Sequence, residues 1–313
     1  MYQRLLLTLL LLSAVLGGAT AALAQDIGTL DPKPLPPLAN PNDPKIGAKQ
    51  LFGRKVLPAA MPTRVIGFYS HGCIAGAEAL PISGDTWQVM RLSRNRNWAH
   101  PDMVALLKRL SAKIHKDAGW PGILVGDMAQ PRGGPMITGH ASHQVGLDAD
   151  VWLTPMPDHR LSREEREEMS ALMMVRSDRL DVDTHVWTPG HLIAIRDAAQ
   201  EPRVQRIFVN PAIKKALCRE ATGDRSWLSK VRPFWGHDYH FHIRITCPAG
   251  AKQCEPQPPV PDGEGCSPAD FAYWFQDSVI HPKPEPPAPS HPITLAQLPP
   301  DCRQVLAAPD AKP

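Results

Sequence analysis

The sequence predicts an α+β fold, in which a central antiparallel β-sheet carries flanking helices and long loops and is held together by disulfides. Two distant runs, residues 147–153 and 239–245, alternate apolar and polar side chains as β-strands do. Elsewhere, as after Asp102, apolar residues recur at helical spacing. Six cysteines in a chain of 313 residues add the expectation of disulfide bonds.

Composition divides the chain into four segments. Residues 1–24 have a positive start, an apolar run and small residues before Gln25, a pattern typical of a cleaved secretory signal. A membrane anchor is the less favoured interpretation, because the run is short, and no later run could span a bilayer. Residues 25–45 form a proline-rich lead-in, residues 46–280 the single folded domain, and residues 281–313 a proline-rich C-terminal extension. We therefore expect an exported protein without a membrane span after signal cleavage.

Local signals place the main helices. Asp102 is expected to cap a helix that ends at Gly119. Ser162 begins a capping-box sequence, and the helix that it opens is expected to run to about Met174 with residues 163–168 facing solvent. The helix after Asp102 is expected to serve as scaffold.

Export into an oxidising compartment makes disulfides the expected state of the cysteines. The sequence alone does not choose among the pairings, although Cys247 and Cys254 flank a turn and could close a short loop. Zinc ligation by cysteine is less favoured, since no Cys-x-x-Cys pair is present. The formal charge of +3, with basic and acidic residues evenly mixed, argues against a nucleic-acid partner.

Histidines and carboxylates crowd into two short runs, residues 139–150 and 237–242. A catalytic zinc takes three imidazole or carboxylate ligands and keeps a fourth position for water. His143 and Asp150 could reach one ion from a turn and the strand after it, and His242 would complete the set. His240, on the same strand face as His242, could then act as a general base or donate to an oxyanion.

The other polar residues of these runs have two interpretations. His140, His237 and Asp148 could orient ligands without binding the ion. Buried polar groups are costly unless paired, so either a metal or an extended hydrogen-bond network must hold the whole set. Because neither run offers an obvious serine or cysteine nucleophile, the sequence indicates a metal-activated hydrolase.

The two runs together resemble the penicillin-insensitive murein endopeptidases. The resemblance rests on residues 139–150, on Arg132-Gly133-Gly134-Pro135 before them, on residues 235–242 and on residues 87–98, and it extends from about Gly72 to Cys302. That family belongs with the lysostaphin-type and D-Ala-D-Ala metallopeptidases, which share His-x6-Asp and a later His-x-His around an antiparallel sheet.

The resemblance implies a role for each residue of the two runs. His143, Asp150 and His242 would be the zinc ligands, and His240 the catalytic histidine. His237 would assist catalysis, and His140 would serve a second metal position. Further ligands for that position are not fixed by spacing, and the candidates are Asp178, Asp181 and His185. The resemblance also implies three disulfides, namely Cys73–Cys302, Cys218–Cys266 and Cys247–Cys254.

The implied activity is that of a periplasmic zinc endopeptidase. It would hydrolyse D-alanyl-meso-diaminopimelyl cross-links between peptidoglycan stem peptides and be insensitive to β-lactams, and a homodimer is compatible with the sequence. A D-alanyl carboxypeptidase or dipeptidase is the alternative. The dipeptidases, however, carry a glutamate three residues before the last zinc-binding histidine, where this chain has Tyr239. A non-catalytic zinc-binding or wall-binding protein is the third and least favoured interpretation.

Overall fold

The computed structural model describes residues 28–283 and 292–312. The predicted signal peptide, residues 1–24, lies outside these ranges, as do residues 25–27 of the lead-in and residues 284–291 of the C-terminal extension. Within the described ranges, no helix combines the length and the apolar character needed to cross a bilayer.

The described residues form ten strands in three sheets. In chain order the strands are β1 (Arg64–Phe68), β2 (His71–Ala75), β3 (Glu78–Ala79), β4 (Trp87–Val89), β5 (Trp98–Ala99), β6 (Ile123–Val125), β7 (Asp148–Trp152), β8 (Val204–Val209), β9 (Val231–Pro233) and β10 (His240–Ile245). Six of them build the central sheet in the order β4-β6-β7-β10-β8-β9, while β1 pairs with β2 and β3 with β5.

The α+β class is confirmed, and the central sheet is mixed. Its inner pairs, β6–β7, β7–β10 and β10–β8, are antiparallel, as expected for the predicted fold class. The outer pairs, β4–β6 and β8–β9, are parallel. Each parallel pair is separated in sequence by a segment containing a long helix, the connection that parallel neighbours require.

Eight α-helices accompany the sheets in the described part of the chain. They are α1 (Ala48–Phe52), α2 (Pro101–Ala118), α3 (Arg163–Glu168), α4 (Pro189–Gln200), α5 (Pro211–Glu220), α6 (Pro268–Ala272), α7 (Asp277–Ile280) and α8 (Asp301–Ala307). Helix α2 buries the apolar positions expected of it, Met103, Leu106, Leu107, Leu110 and Ile114, in the main core. This core lies between the sheet and the helices α2 and α4.

Two helix predictions were wrong in detail. The cap of α2 is His100, whose Nδ1 accepts from the backbone N–H of Asp102 at 3.1 Å, so Asp102 lies inside the first turn. Helix α3 has the predicted capping box at Ser162 but ends at Glu168, and Arg166 and Glu167 are buried rather than solvated. Arg166 donates to the carbonyl oxygens of Leu161, Ile82 and Val89, which satisfies its buried guanidinium.

A second, smaller core joins the first elements of the domain to the C-terminal helix. Phe52 of α1, Ile66 of β1 and Val305 of α8 pack together in it, around the disulfide Cys73–Cys302. Helix α8 therefore belongs to the packed body, although it lies in the segment predicted as an extension. All three disulfides implied by the resemblance are present, the others being Cys218–Cys266 and Cys247–Cys254.

The Arg132-Gly133-Gly134-Pro135 loop holds α8 in place. The fully buried Arg132 side chain donates to the carbonyl oxygens of Val305, Leu306 and Ala308 at 2.6, 3.0 and 2.8 Å. A guanidinium at this position satisfies the last carbonyl groups of a helix and complements its dipole. Arg132, part of the segment that carries the family resemblance, therefore anchors the C-terminal helix.

Candidate metal centre

Two adjacent strands at the middle of the sheet supply the first pair of site residues. His242 of β10 lies directly opposite Asp150 of β7 in the antiparallel register, and His240 opposite Trp152. Directly opposed residues place their side chains on the same face of a sheet, close enough to touch. This pairing brings together two sequence runs that are far apart in the chain.

His143 comes from the loop that enters β7. Its backbone has φ 68°, in the left-handed region that a histidine rarely adopts, and its N–H donates to Asp148 Oδ2 at 3.0 Å. The side chain is fully buried, yet neither ring nitrogen has a hydrogen-bond partner within the described residues. A strained backbone and a buried imidazole without partners are features that a structure retains where they serve a site.

The candidate donor atoms converge on the carboxylate of Asp150. Its Oδ1 lies 3.1 Å from His242 Nδ1, 3.5 Å from His143 Nε2 and 3.7 Å from His240 Nε2. The other oxygen, Oδ2, lies 3.4 Å from His140 Nδ1. His143 and His242 therefore approach the same carboxylate oxygen, whereas His140 approaches the opposite one.

Asp148 fixes the orientation of the His242 ring. Its Oδ1 accepts from His242 Nε2 at 2.9 Å and from Arg244 Nε at 2.7 Å, and the carboxylate is fully buried. With Nε2 engaged in this way, Nδ1 of His242 faces Asp150. An imidazole whose second nitrogen is held by a carboxylate is the usual arrangement around a metal-binding histidine.

A second carboxylate holds His140. Asp127, two residues beyond β6, accepts from His140 Nε2 at 3.1 Å, from Arg96 Nη1 at 2.7 Å and from Arg94 Nη1 at 3.1 Å, all through Oδ2. These contacts leave His140 Nδ1 on the side of Asp150. Burial alone would raise the pKa of Asp127, but hydrogen bonding to His140 and the charges of Arg96 and Arg94 hold that pKa well below its usual value, so the carboxylate stays charged.

The electrostatics of the cluster favour the metal-binding protonation state of two of its members, His143 and Asp150. Burial lowers the pKa of His143 to about 4, so its imidazole is neutral at neutral pH. Burial opposes ionisation of Asp150, but the surrounding histidines, His143 first, lower its pKa well below the usual value. Burial likewise lowers the pKa of His242, yet Asp148 and Asp150 outweigh it and raise that pKa to about 9, so a cation at Nδ1 would displace a proton.

His237 and His240 lie between this cluster and solvent. Their rings are 4.9 Å apart, and both line an open cleft of about 650 Å³ together with His140 and Tyr239. Burial, reinforced by the neighbouring His240 and His242, lowers the pKa of His237 to about 3. One nitrogen of His237, Nδ1, lies 2.9 Å from the carbonyl oxygen of Trp235. Donation to this carbonyl would leave the Nε2 lone pair available.

The side chains of this cluster are suited to bind a divalent cation. His140, His143 and Asp150 offer ligand atoms that all lie within 4.8 Å of one another, and His242 Nδ1 lies beside the same carboxylate. Three buried atoms, both ring nitrogens of His143 and Oδ1 of Asp150, lack hydrogen-bond partners among the described residues. Imidazole and carboxylate donors suit zinc, and a bound cation would satisfy the atoms that the protein leaves without partners.

The three further candidates for a second metal position are not part of this cluster. Asp181 forms ion pairs with Lys215 and Arg219, and Asp178 is paired with Arg176. His185 contacts Asp183 at an exposed loop. Within residues 28–283 and 292–312, none of the three joins a group of potential metal ligands.

Sequence reasoning missed two supporting residues. Asp127 follows a buried strand at the edge of the site, and its position after Val125 and Gly126 was the available signal. Arg244 continues the alternation of His240 and His242 on the same strand face, and only the register with β7 shows that it meets Asp148. Residue type and spacing do not show which side chains Asp127 and Arg244 contact in the folded structure.

The chain is similar to one family of known proteins. The sequence model of the family described as "Penicillin-insensitive murein endopeptidase" matches residues 65–307. The chain is similar to proteins named penicillin-insensitive murein endopeptidase from Haemophilus influenzae, 46% identical over 79% of this chain and 84% of the relative, and from Klebsiella pneumoniae, 44% identical over 80% and 88%. A relative of the same name from Escherichia coli is 42% identical over 80% of this chain and 88% of its own length. With a family match across most of its length and such relatives, the chain belongs to the penicillin-insensitive murein endopeptidase family.

Proposed function

We propose that the protein is a zinc-dependent murein endopeptidase in which His143, Asp150 and His242 hold one zinc ion. The convergence of His143 Nε2 and His242 Nδ1 on the same oxygen of Asp150 supports this set. His140 approaches the other oxygen of Asp150 and is held by Asp127. We therefore assign His140 to a position beside the zinc ligands. When bound, zinc supplies Lewis-acid polarisation of the scissile carbonyl and acidifies water.

His240 is assigned the proton transfers of the reaction. It lines the cleft, lies beside the carboxylate of Asp150 and is shielded from solvent by the fold, with 5% of its surface exposed. From there its imidazole can accept a proton from the attacking water and later deliver it to the leaving amine. Because the pKa of His237 is low, its neutral ring can accept a hydrogen bond from the water or the substrate beside His240.

The proposed substrate is the D-alanyl-meso-diaminopimelyl cross-link between peptidoglycan stem peptides. The names of the relatives support murein as the substrate class, and the open cleft has room for a peptide on both sides of a scissile amide. Three disulfides suit an oxidising compartment, and we assign the protein to the periplasm. Insensitivity to β-lactams follows from the mechanism, since these compounds acylate a nucleophile that it does not use.

The single observation that carries the proposal is the buried His143 imidazole, which has no hydrogen-bond partner in the described structure and points at Asp150. The test is digestion of purified cross-linked muropeptide dimers, with uncross-linked pentapeptides in parallel. We expect monomers from the dimers, no loss of D-alanine from the pentapeptides, abolition by a chelator and recovery with zinc. Release of D-alanine alone would identify a carboxypeptidase, and intact dimers with zinc present would refute the assignment.

A further inference from the structure

The proline-rich lead-in lies against the entrance of the site. The backbone N–H of Gly28 donates to the Glu167 carbonyl at 2.8 Å, and the N–H of Thr29 lies 3.2 Å from Ser93 Oγ. Further along, the carbonyl of Pro36 accepts from Arg54 Nη2 at 2.8 Å. The segment 28–41, called the strap below, is thus fixed to the domain at Gly28 and Thr29 and again at Pro36.

The first anchor of the strap is closely fitted. A Cβ atom on Gly28 would lie only 1.6 Å from Glu167 Oε2, so no side chain can replace this glycine while the carboxylate stays in place. Glu167 is fully buried and accepts from both the N–H and the hydroxyl of Ser93 at 2.8 Å. The prolines that follow keep the strap extended, so little conformational entropy is lost when it is held in position.

The strap forms one wall of the cleft that contains the proposed catalytic histidines. Gly28, Thr29, Pro32 and Lys33 line this cleft opposite residues of the metal centre. The family match covers residues 65–307, so the strap lies outside the part of the chain that the family model describes. The wall is therefore a feature of this chain that membership of the family does not explain.

The strap adds a cation to a cleft that is already positive. The charged side chains lining the cleft, histidines aside, are Lys33, Arg94, Arg96 and Asp127, which is three cations against one carboxylate. Asp127 is engaged by the two arginines. Lys33 is exposed, and no acidic side chain of the described residues lies within ion-pair distance of it. The ammonium group of Lys33 is therefore available to bind a ligand in the cleft.

We propose that the strap is a substrate-binding element and that Lys33 determines specificity by binding a carboxylate of the stem peptide. The inference rests on the proposed function, because the amide between D-alanine and meso-diaminopimelate has a free carboxylate on the carbon that bears its nitrogen. That carboxylate must lie close to the catalytic histidines when the amide is cleaved. A lysine is suited to such a contact as a flexible point charge at the rim of the cleft.

The test compares two lysines and two substrates in the full chain loaded with zinc. Lys33→Ala removes the proposed contact, and Lys45→Ala is the matched control, an exposed lysine of the same lead-in that does not line the cleft. The substrates are the cross-linked dimer and the same dimer with the neighbouring carboxylate amidated. We expect Lys33→Ala to raise KM for the free-carboxylate dimer about fivefold, the scale of one exposed ion pair, and to leave kcat unchanged.

The other combinations of variant and substrate serve as controls. With the amidated dimer, Lys33→Ala and the parent should have equal KM, and Lys45→Ala should match the parent on both substrates. An equal KM for Lys33→Ala and Lys45→Ala on the free-carboxylate dimer overturns the inference, as does the same loss on both dimers. Faster cleavage by Lys33→Ala also overturns it, since the strap would then obstruct the cleft.

Failure of the proposed function would be visible separately, as absence of cleavage by the parent protein. In that case the affinity of a fluorescent free-carboxylate dimer is measured for the same variants by anisotropy. Weaker binding by Lys33→Ala than by Lys45→Ala, with the difference lost at high salt, supports the carboxylate contact. Equal affinities refute it.

Discussion

Replacement of Asp148 by asparagine tests whether the buried network behind His242 prepares the metal centre. Asp148 accepts from His242 Nε2, from Arg244 Nε and Nη2 at 2.7 and 3.3 Å, and from the His143 N–H, so one carboxylate contacts three residues of the site. Asparagine preserves the shape of the side chain but removes its charge and turns one acceptor into a donor. Two ligands lose their orientation, and Arg244 loses its counter-ion.

The expected losses of stability and of zinc affinity follow from the contacts of the buried Asp148 carboxylate. Breaking a buried ion pair costs about 3–5 kcal/mol, and Arg244 keeps Gln257 and the Tyr69 ring as partners, so we expect a loss of about 3 kcal/mol in the free energy of unfolding. Loss of the carboxylate that orients a metal-binding histidine lowers affinity about 10–100-fold. Urea unfolding of the zinc-free protein and zinc competition with a chromophoric chelator measure the two quantities.

The control for this substitution is Asp158→Asn, because the Asp158 side chain is 93% exposed and has no role in the site. It should leave both stability and zinc affinity at the parental values. If Asp148→Asn binds zinc as tightly as the parent, the carboxylate does not orient His242 for a metal, and the reasoning is refuted. A loss of stability alone would assign Asp148 to the fold and not to the site.

The other predictions concern the ligands, the base and the disulfides. His240→Ala should keep one equivalent of zinc and lose about 10²–10⁴-fold in kcat, whereas His143→Ala should lose zinc and activity together; metal analysis beside muropeptide digestion separates the two. His140→Ala should still bind one zinc, but more weakly than the parent, and complete loss in the same competition assay would make it a direct ligand. Removal of Cys73–Cys302, which spans 229 residues, should destabilise the protein by roughly 3 kcal/mol more than removal of Cys247–Cys254, which spans 7, in chemical unfolding. Zinc at a hundredfold excess over its Kd should stabilise the protein by about 2.7 kcal/mol in calorimetry, and an unchanged Tm would contradict specific binding.

The sequence predicted the parts of the fold that depend on local periodicity. The alternation in residues 147–153 and 239–245 placed β7 and β10 and put His240 and His242 on one face. It did not predict the parallel edge pairs, because these depend on how the helix-containing connections return to the sheet. The buried Arg166 and Glu167 were assigned to solvent because their partners, Val89 and Ser93, are far away in sequence.

The same distinction applies to the site. His143, Asp150 and His242 were predicted from residue type and spacing. In the structure, His143 and His242 both approach Oδ1 of the Asp150 carboxylate. The role of Asp127 was not predicted, because it meets His140 only through tertiary packing. Nor could composition reveal that the proline-rich lead-in reaches the cleft, since a proline-rich segment has the same sequence pattern whether it is solvated or seated on a surface.

Zinc ligation by His143, Asp150 and His242 is tested by an anomalous difference map at the zinc absorption edge, from crystals grown with one equivalent of zinc. We expect a peak about 2.0–2.2 Å from a nitrogen of His143, a nitrogen of His242 and a carboxylate oxygen of Asp150, with the side facing His240 open to the cleft. A peak held by other residues, or none at this position while zinc is bound in solution, would contradict it.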